Sequence, residues 1–529
     1  MTLVAALAGS LMTILSFASG SAASELHVDR DNMTATADGS SLHPYATIQA
    51  ALDTAAADDS ILVAQGVYSE NVAIEGKRVA LRGGYTGAAP ADYVGNLGGD
   101  FATQLPAVNV TTIQAQLGTV SAVLLLTGAD GSLIDGFSIR GGAHGIELDT
   151  ASTYPHLVGV TISHNVLEEN GVAEYTHYGG GIALSGADHV VADNVLRNNI
   201  GGRGAGAALC CDNVTFTRNL VEDNVGYSDH AGGINQIGTG VVSYNVIRRN
   251  RTGEGLGYGW GGGILVLGTP TFSHNIITEN HAPSIGGGVF VDDGAQALLD
   301  HELIFANSAD EGGAIYVDGL GDNVGSHADI RNCTITGNTA NVTPVGNAVY
   351  VTLNSSATLW NTITWDNQGD DFVADATSSI SATYTLSEES IAGAGNVVAD
   401  PLFADAVTND YHLRSTAGRF DPLANGGVGA FVIDAEDSPA IDAGDPAAAF
   451  SAEPLPNGGR ANLGAYGNTA EASKSVPEPG SGAAGAAAAS ALAAVGLASA
   501  RRKSAAGRRR IRRAAPGVLA MCPKSATRR

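Results

Sequence analysis

The middle of the chain repeats a short pattern of apolar and polar positions. The unit reads apolar-x-x-Asn-x-apolar-x-x-Asn, and most copies are followed by glycines that lead a short apolar run, as in 179–182. These runs have the two-residue period of β-strands, and no stretch of the repeat has the period of a helix. The second asparagine of each unit is Asn170, Asn199, Asn224, Asn250 or Asn280, with looser copies at Asn307, Asn338 and Asn367.

The spacing of these units predicts stacked coils. The second asparagines lie 29, 25, 26, 30, 27, 31 and 29 residues apart. Such a period indicates a solenoid, a propeller or an array, and a propeller blade takes about 40 residues or more. Coils of a parallel β-helix lie about 4.8 Å apart, so equivalent residues form rows. A buried asparagine can then hydrogen-bond with the asparagine above and below it.

The charge of the chain is unevenly distributed. It has 53 acidic and 27 basic residues, for a net charge of −26, and 11 of the basic residues lie in 501–529. Residues 1–500 therefore carry 16 basic groups against 53 acids, or −37. Such a surface repels phosphates, which excludes a nucleic acid as partner. The abundance of glycine, 70 residues, lacks a G-X-Y period and fits the recurring turns of the repeat.

The first residues predict an export signal. An apolar run over 3–18 is followed by small residues at 20–23, so we expect a signal peptide over 1–23. A buried first helix is the alternative, although the run shows no amphipathic face.

The last residues predict a membrane segment. Val476-Pro477-Glu478-Pro479 precedes an Ala/Gly-rich stretch over 480–500 and then Arg501-Arg502-Lys503. The order resembles the PEP-CTERM sorting signal of Gram-negative bacteria, which implies export and removal of the tail. A retained C-terminal anchor with a basic cytoplasmic end is the alternative. We therefore assign 476–529 to sorting or anchoring and place 24–475 outside the inner membrane, at the cell surface or secreted.

The repeat as a whole resembles the right-handed parallel β-helix superfamily that includes the pectate lyases. The resemblance covers roughly 40–400 and implies an all-β, right-handed parallel β-helix with three short strands per coil. The segment 43–52, followed by 59–70, is similar to the start of secreted β-helix proteins, in which a short helix caps the first coil. Segments 400–403, 438–444 and 459–466 are similar to choice-of-anchor modules. We expect a β-helix with its N-terminal cap over 24–398 and a C-terminal cap module over 399–475.

The part of each unit that is richest in aromatic, acidic and basic residues lies between the second asparagine and the glycine-led strand. Stacking would place its aromatic, acidic and basic side chains side by side over about 25–30 Å, an arrangement that suits a sugar polymer. The candidate catalytic residues are His177, Tyr178, Arg203, Asp229, His230 and Glu254, and the candidate substrate-binding residues are Tyr175, Tyr227, Arg251, Tyr258, Trp260 and His281.

Two reactions are compatible with these residues. A lyase needs a base that takes the proton next to a uronate carboxyl, which His177, Tyr178 or His230 would supply, and a cation that holds the carboxylate, which Arg203 or Arg251 would supply. A hydrolase needs two carboxylates about 5–9.5 Å apart, and residues 229 and 254 lie in neighbouring coils. Polar turns on any solenoid are also explained by solvation alone.

Four aspartates are candidate ligands of Ca²⁺, which prefers oxygen. An acidic body disfavours a polyanionic glycan unless such an ion bridges the two. The candidates follow glycine-led strands and are Asp292, Asp293, Asp318 and Asp322.

Together these features favour an exported, envelope-associated β-helix protein that binds an extracellular polysaccharide, with cleavage by a lyase or hydrolase reaction as an open alternative. We expect a monomer. The second hypothesis is a non-catalytic, adhesin-like surface protein, because 304–307 and 312–315 resemble the repeats of polymorphic outer-membrane adhesins.

Overall fold

The computed structural model of the protein describes residues 23–148, 156–174, 177–319, 324–342 and 346–475. Most of this chain winds into coils that stack through three parallel sheets, which we name A, B and C in the order in which each coil reaches them. Sheets A and B have 13 strands each and sheet C has 11. The prediction of three short strands per coil is confirmed.

The strands of each sheet are short and follow one another coil by coil. Sheet A comprises Glu25–Val28, Ser60–Ala64, Ala80–Tyr85, Leu133–Asp135, Thr161–Ser163, Val190–Ala192, Val214–Thr217, Thr239–Ser243, Thr269–Ser273, Gln296–Asp300, His327–Arg331, Ser356–Trp360 and Ser379–Thr383. Sheet B comprises Gly66–Ser69, Thr111–Gln114, Phe137–Arg140, Val166–Glu168, Val195–Arg197, Leu220–Glu222, Val246–Arg248, Ile276–Thr278, Leu303–Phe305, Thr334–Thr336, Ile363–Trp365, Leu386–Ser387 and Val397–Val398. Sheet C comprises Val72–Ile74, Val123–Leu125, Ile146–Leu148, Ile182–Ala187, Ala207–Asp212, Ile234–Ile237, Ile264–Val266, Val289–Val291, Ile315–Val317, Val349–Val351 and Phe372–Ala374.

Short elements outside the three sheets complete the fold. Two parallel pairs lie between sheets B and C, and two antiparallel pairs lie in the C-terminal module. The parallel pairs are Ile200–Arg203 with Val225–His230 and Ser308–Ala309 with Thr339–Ala340, and the antiparallel pairs are Phe403–Asp405 with Asp410–Leu413 and Arg419–Asp421 with Ala430–Val432. The helices are α1 (Ile48–Thr54), α2 (Pro90–Val94) and α3 (Ala424–Gly427), with a 3₁₀ turn at Ala406–Thr408.

The core is a column of apolar rows inside the coils. In sheet C, Ile182, Ala207, Ile234 and Ile264 share one register position in successive coils and are fully buried. Alternate residues of these strands point outwards, which explains the two-residue period of the sequence. Each coil buries its apolar side chains against its neighbours, so the coils stabilise one another.

The predicted stacking of asparagines is confirmed as two ladders. One occupies the turn from sheet A to sheet B (Asn165 to Asn275), and the other follows sheet B (Asn170 to Asn367). In the second ladder, Asn224 Nδ2 donates to Leu196 O and Asn250 Oδ1, both at 2.9 Å. These bonds satisfy buried turn groups and hold each coil to both neighbours.

The ladders end on acidic residues. Glu302 occupies the next rung of the first ladder, where its Oε1 accepts from Asn275 Nδ2 at 3.0 Å. This carboxyl group is fully buried, and burial raises its pKa well above the usual range. Asp371 accepts from Asn367 Nδ2 at 2.9 Å at the end of the second ladder, and burial raises its pKa to about 7. Asp371 thus belongs to the bend that ends the second ladder.

Helix α1 covers the first coil, as predicted. Its Ile48, Ala51 and Leu52 are buried against the solenoid core. Thr47 Oγ1 accepts from Ala50 N at 3.3 Å, and the Glu70 carboxylate accepts from the first backbone amides of the helix at 2.9 Å. A hydroxyl cap and an acid at this end stabilise so short a helix.

Residues 400–475 form the C-terminal module, which packs along the flank of the last coils. Its Tyr411 and Leu463 share an apolar cluster with Leu303 and Ile363 on the outer face of sheet B. Hydrogen bonds fix the contact, including one of 3.0 Å from Trp360 Nε1 to an Asp445 oxygen. The module therefore covers apolar positions that other coils expose.

The ends of the chain, with the predicted signal peptide (except residue 23) and the tail over 476–529, lie outside the described residues. Among the residues that the structure does describe, no helix is long and apolar enough to cross a membrane.

Candidate functional site

The segments between sheets B and C stack into a strip of their own, which we call the B–C corner (the segments between the strands of sheets B and C over 171–311). Backbone pairing continues from coil to coil in two rows, one next to the asparagine ladder and one next to sheet C. The first row is Gly171, Ile200, Val225, Arg251, His281, Ser308, and the second row is Tyr178, Arg203, His230, Trp260, Ile285, Glu311. The described catalytic and substrate-binding candidates thus lie on one side of the solenoid, about one coil spacing apart.

The second row holds an aromatic and cationic series. Arg203 Nη1 donates to the Tyr178 hydroxyl at 2.7 Å, and its guanidinium lies 5.2 Å from the centre of that ring. His230 lies opposite Arg203 in the next coil, and its ring centre is 5.3 Å from that of Trp260. The register shifts between Gly201 and Arg203, and this irregularity brings Arg203 to the level of His230.

Asp229 and His230 form an acid–base pair at the centre of the row. His230 Nδ1 lies 2.5 Å from Asp229 Oδ1, and only 7% of either side chain is exposed. A carboxylate on Nδ1 orients the imidazole and leaves Nε2 as the atom that exchanges protons. Arg203, which is also buried, supplies a positive charge one coil away. The arrangement can position a base next to a cation, as a lyase requires.

Asn235 was missed by the sequence-based prediction. It lies on the outward side of sheet C, level with Ala208 and Leu265, and is fully buried. Among the described residues, both polar atoms of its amide lack a hydrogen-bond partner, as do those of the neighbouring Gln236. Unpaired buried amides are rare because each costs about 1–3 kcal/mol. Two adjacent amides in a glycine-led apolar strand were the signal that could have revealed this position.

His177 lies at one end of the corner in a neutral state. Its Nε2 is 2.8 Å from Ala143 O, and its ring stacks on His144 at 4.1 Å. Burial, followed by the charge of His144, lowers the pKa of His177 to about 4. His144 in turn contacts Glu147 at 3.1 Å. His177 is therefore fixed by Ala143 and His144 of the preceding coil, which the sequence did not connect with it.

The first row is more exposed. Arg251 Nε lies 3.2 Å from Glu254 Oε2, with about half of each side chain exposed. His281 Nδ1 lies 2.9 Å from the Ser308 hydroxyl. Glu254 is thus engaged with Arg251, whereas Asp229 is engaged with His230, so each carboxylate of the predicted hydrolase pair has its own basic partner.

Aromatic side chains extend the site along sheet C. Trp260 lies 6.3 Å from Phe290, Phe290 lies 5.6 Å from Tyr316, and Tyr316 lies 5.0 Å from Tyr350. Tyr258, which is 45% exposed, lies 6.5 Å from Trp260 at the surface of this series. Phe290, Tyr316 and Tyr350 were not predicted, because their strands read as ordinary apolar runs.

Tyr227 lies beneath the neighbouring loop. A Cβ at Gly255 would lie 2.6 Å from the Tyr227 ring, so the loop packs directly on that side chain. Tyr227 therefore supports the corner from below. Tyr175 lies outside the described residues.

The aspartates proposed to bind Ca²⁺ follow sheet C strands as expected. Asp318 accepts from the Thr352 hydroxyl at 2.9 Å, and Asp292 Oδ1 accepts from the Asp293 amide at 2.7 Å. Asp322 lies outside the described residues. Within the described ranges, no group of three or more His, Cys, Asp or Glu side chains is arranged to hold a metal ion. Calcium binding therefore stays a prediction.

Comparison with known families identifies the fold. The sequence signature of the family described as "Right handed beta helix region" matches residues 118–299 and 263–394, which together span more than half of the chain. The chain therefore belongs to the right-handed β-helix family, and the predicted fold class is confirmed.

Two solved structures resemble the chain at low identity. One is the crystal structure of pectate lyase Pel9A, at 14% identity and a TM-score of 0.37, covering 84% of this chain and 96% of that one. The other is the complex of XylC with xylose, at 12% identity and a TM-score of 0.37, covering 72% of this chain and 87% of that one. Comparison with curated protein sequences gave no match.

Proposed function

We propose that the protein is an exported, envelope-associated β-helix protein that binds an extracellular polysaccharide along the B–C corner. The observation that carries this proposal is the second row of the corner, in which Tyr178, Arg203, His230 and Trp260 follow one another in successive coils. The row presents aromatic rings and hydrogen-bonding groups at a regular spacing of about 4.8 Å. An extended chain of sugar rings offers apolar faces and hydroxyl groups along a line and would match it.

The pairing of Glu254 and the neutral state of His177 favour binding over cleavage. Glu254 is paired with Arg251, and His177 is neutral and held by a backbone carbonyl. These groups are suited to hydrogen bonds with a ligand. Asn235, whose amide lacks a protein partner, would bind a hydroxyl group that reaches the base of the corner.

Cleavage by a lyase reaction is the second candidate, and the Asp229–His230 pair favours it. His230 would take the proton next to a uronate carboxyl, and Arg203 would hold the carboxylate. A ligand that reaches His230 would have to displace part of its cover, because only 7% of this side chain is exposed.

A binding assay on residues 24–475 tests the proposal. Neutral and uronate polysaccharides are immobilised in turn, with and without Ca²⁺, and binding is measured for the parent chain and for Trp260→Ala. We expect one class to bind and the tryptophan change to weaken binding about tenfold, as the loss of one aromatic contact would. Tyr244→Ala is the matched control, because Tyr244 is 58% exposed and lies in the turn from sheet A to sheet B.

The outcomes separate the hypotheses. No binding to any polysaccharide would leave the adhesin-like alternative and overturn the proposal. Binding with release of an unsaturated product that His230→Ala abolishes would establish the lyase reaction. Binding that only Ca²⁺ supports, and that Asp292→Ala or Asp318→Ala removes, would establish the predicted calcium site. Detection of the chain in the envelope fraction of its host tests export.

A further inference from the structure

A second concave site lies away from the B–C corner, at the turn from sheet A to sheet B in the early coils. It is a groove of about 800 Å³, a size suited to a small ligand. Val166 and Val195, which share one outward row of sheet B, line it together with Pro106 and Val110 of the neighbouring loop. The lining is mainly apolar with a few polar groups at one side, as in sites that bind small molecules.

The loop that walls the groove is fixed to the solenoid. Leu105 N donates to Gly84 O at 2.7 Å, and Gln104 Nε2 donates to Gly83 O at 2.9 Å. Gly84 has a φ of +94°, and a Cβ there would lie 2.8 Å from Pro106 N. Only glycine permits this close approach. The loop is therefore held in place by the fold. Its Val110 is nevertheless 51% exposed, which leaves an apolar side chain open to solvent at the groove.

Asp135 lies at the polar side, and both of its oxygens already accept hydrogen bonds from the protein. Its oxygens accept from the Ser163 hydroxyl at 2.6 Å, from His164 Nδ1 at 2.8 Å and from Gln104 Nε2 at 2.8 Å. Burial alone would raise the pKa of Asp135, but these hydrogen bonds outweigh it and lower the pKa below the usual value. The carboxylate is thus ionised, and His164 uses its Nδ1–H to bind it.

Arg82 and His164 present polar groups to the groove. His164 has 60% of its side chain exposed, and with Nδ1 protonated its Nε2 is a hydrogen-bond acceptor. Arg82 Nη1 forms an ion pair with Asp135 at 3.7 Å, which is longer than a hydrogen bond, so the guanidinium can also donate to a ligand. Asp193, the other acidic residue of the groove, accepts two hydrogen bonds of 2.7 Å from Arg218.

This combination selects the class of ligand. The charges of Asp135 and Asp193 are balanced by those of Arg82 and Arg218, so the groove has no net charge that would attract an ion. The engagement of both carboxylates with other partners leaves no free carboxylate for a cation. His164 as acceptor beside Arg82 as donor suits a hydroxyl group, which can both donate and accept. The apolar floor of the groove suits the C–H face of a ring.

We propose that this groove binds a neutral, hydroxylated ring, such as a single sugar residue, with Arg82 donating to its hydroxyl groups and His164 Nε2 accepting from them. The site is separate from the B–C corner and does not depend on polymer binding there. It would let the protein hold a chain end or a side branch while the corner holds an extended segment.

The test uses the full chain and ligand-observed saturation-transfer NMR. The probes are the neutral methyl glycosides of glucose, galactose and mannose, with galacturonate and glucosamine as charged comparisons. We expect at least one neutral glycoside to bind, and Arg82→Ala and His164→Ala each to weaken binding about tenfold, as the loss of one good hydrogen bond would. Val195→Trp fills the groove and should abolish binding.

The control is His274→Ala, the histidine at the equivalent turn position of a later coil, which stacks on His301 at 4.7 Å. It should bind as the parent does, and thermal unfolding confirms that each variant is folded. The proposal is overturned if no neutral glycoside binds, if galacturonate or glucosamine binds more tightly, or if binding survives Val195→Trp. A signal that Trp260→Ala abolishes belongs to the B–C corner and overturns the groove assignment as well.

Discussion

Glu302 can by itself make the stability of the first asparagine ladder depend on pH. It stands where the ladder has asparagine in the preceding coils, and within the described part of the chain its Oε2 has no hydrogen-bond partner. Because its pKa is raised in the folded state, its contribution to the free energy of unfolding is complete below its unfolded pKa of about 4.3. That contribution is lost as the pH rises from there through the folded pKa, since the unfolded state releases the proton first.

Glu302→Gln should therefore flatten this part of the pH profile. An amide has the shape of the carboxyl group but no charge, so we expect the free energy of unfolding at pH 7 to rise by about 1–3 kcal/mol. Urea unfolding of both chains between pH 4 and 8 measures the difference. Equal slopes for the two chains would show that Glu302 does not titrate on unfolding in this range.

Asn275→Asp places a carboxyl group one rung earlier. It removes the Nδ2 donor that now binds Val242 O and Glu302 Oε1. We expect a loss of about 3–5 kcal/mol at pH 7, because a buried carboxylate would face a second acid. The same urea titration applies, and a partial recovery below pH 5 would identify charge as the cause.

At the scale of an element, the asparagine ladders connect neighbouring coils by hydrogen bonds. Asn224→Ala removes the two bonds donated by Nδ2 and the two accepted by Oδ1 from Asn199. We expect the free energy of unfolding to fall by about 2–4 kcal/mol, because these partners stay buried without replacement. Hydrogen exchange at the neighbouring coils measures the local loss. Asn341→Ala, at an exposed position where Nδ2 donates one bond of 3.2 Å to Ala309 O, should cost only about 0.5–1.5 kcal/mol.

The glycines before sheet C allow the coils to approach closely. A Cβ at Gly233 would lie 2.4 Å from Gly263 O, which belongs to the next coil. Gly233→Ala should therefore force the coils apart and lower the midpoint of thermal unfolding by several degrees, as a change of about 2 kcal/mol would. Gly118→Ala is the matched control, since the nearest atom there lies at 3.4 Å. Similar midpoints for the two variants would contradict this account.

At the scale of the whole molecule, the outer face of sheet B divides into two parts. In the earlier coils one outward row carries Glu168, Arg197, Glu222 and Arg248, which form ion pairs such as that of 2.7 Å between Arg197 and Glu168. In the later coils the row continues with Phe305, which the C-terminal module covers. The change from charged to apolar residues marks where the module docks.

Leu463→Asp tests this docking. Leu463 is 1% exposed at the interface, and an unpaired charge there should release the module at a cost of more than about 3 kcal/mol. Limited proteolysis should then cut within 400–475 while the coils stay protected. Leu455→Asp, at a site that is 78% exposed in the same module, should leave the cleavage pattern unchanged. Protection of the module in the Leu463 variant would show that other contacts suffice.

The candidate site was predictable where side-chain chemistry stood out within the repeat. Arg203, His230 and Trp260 were found because they interrupt a regular pattern, and the repeat placed them in one row. Phe290 and Tyr316 were not found, because an outward aromatic in an apolar strand reads like a core residue. Arg82 lies in a strand of sheet A and His164 in a turn about 80 residues later, and the structure connects them through their contacts with Asp135.

The sequence by itself determined the repeating coil, the asparagine ladders and the order of the segments rich in aromatic and charged residues. Each of these depends on a short pattern that recurs in every coil. The tertiary structure decided which polar groups are satisfied and which are open to a ligand. That outcome depends on distances between coils and loops, as in the engagement of Asp135, the unpaired amide of Asn235 and the lateral docking of the C-terminal module. Such contacts join residues whose separation in sequence follows no period, so no pattern along the chain records them.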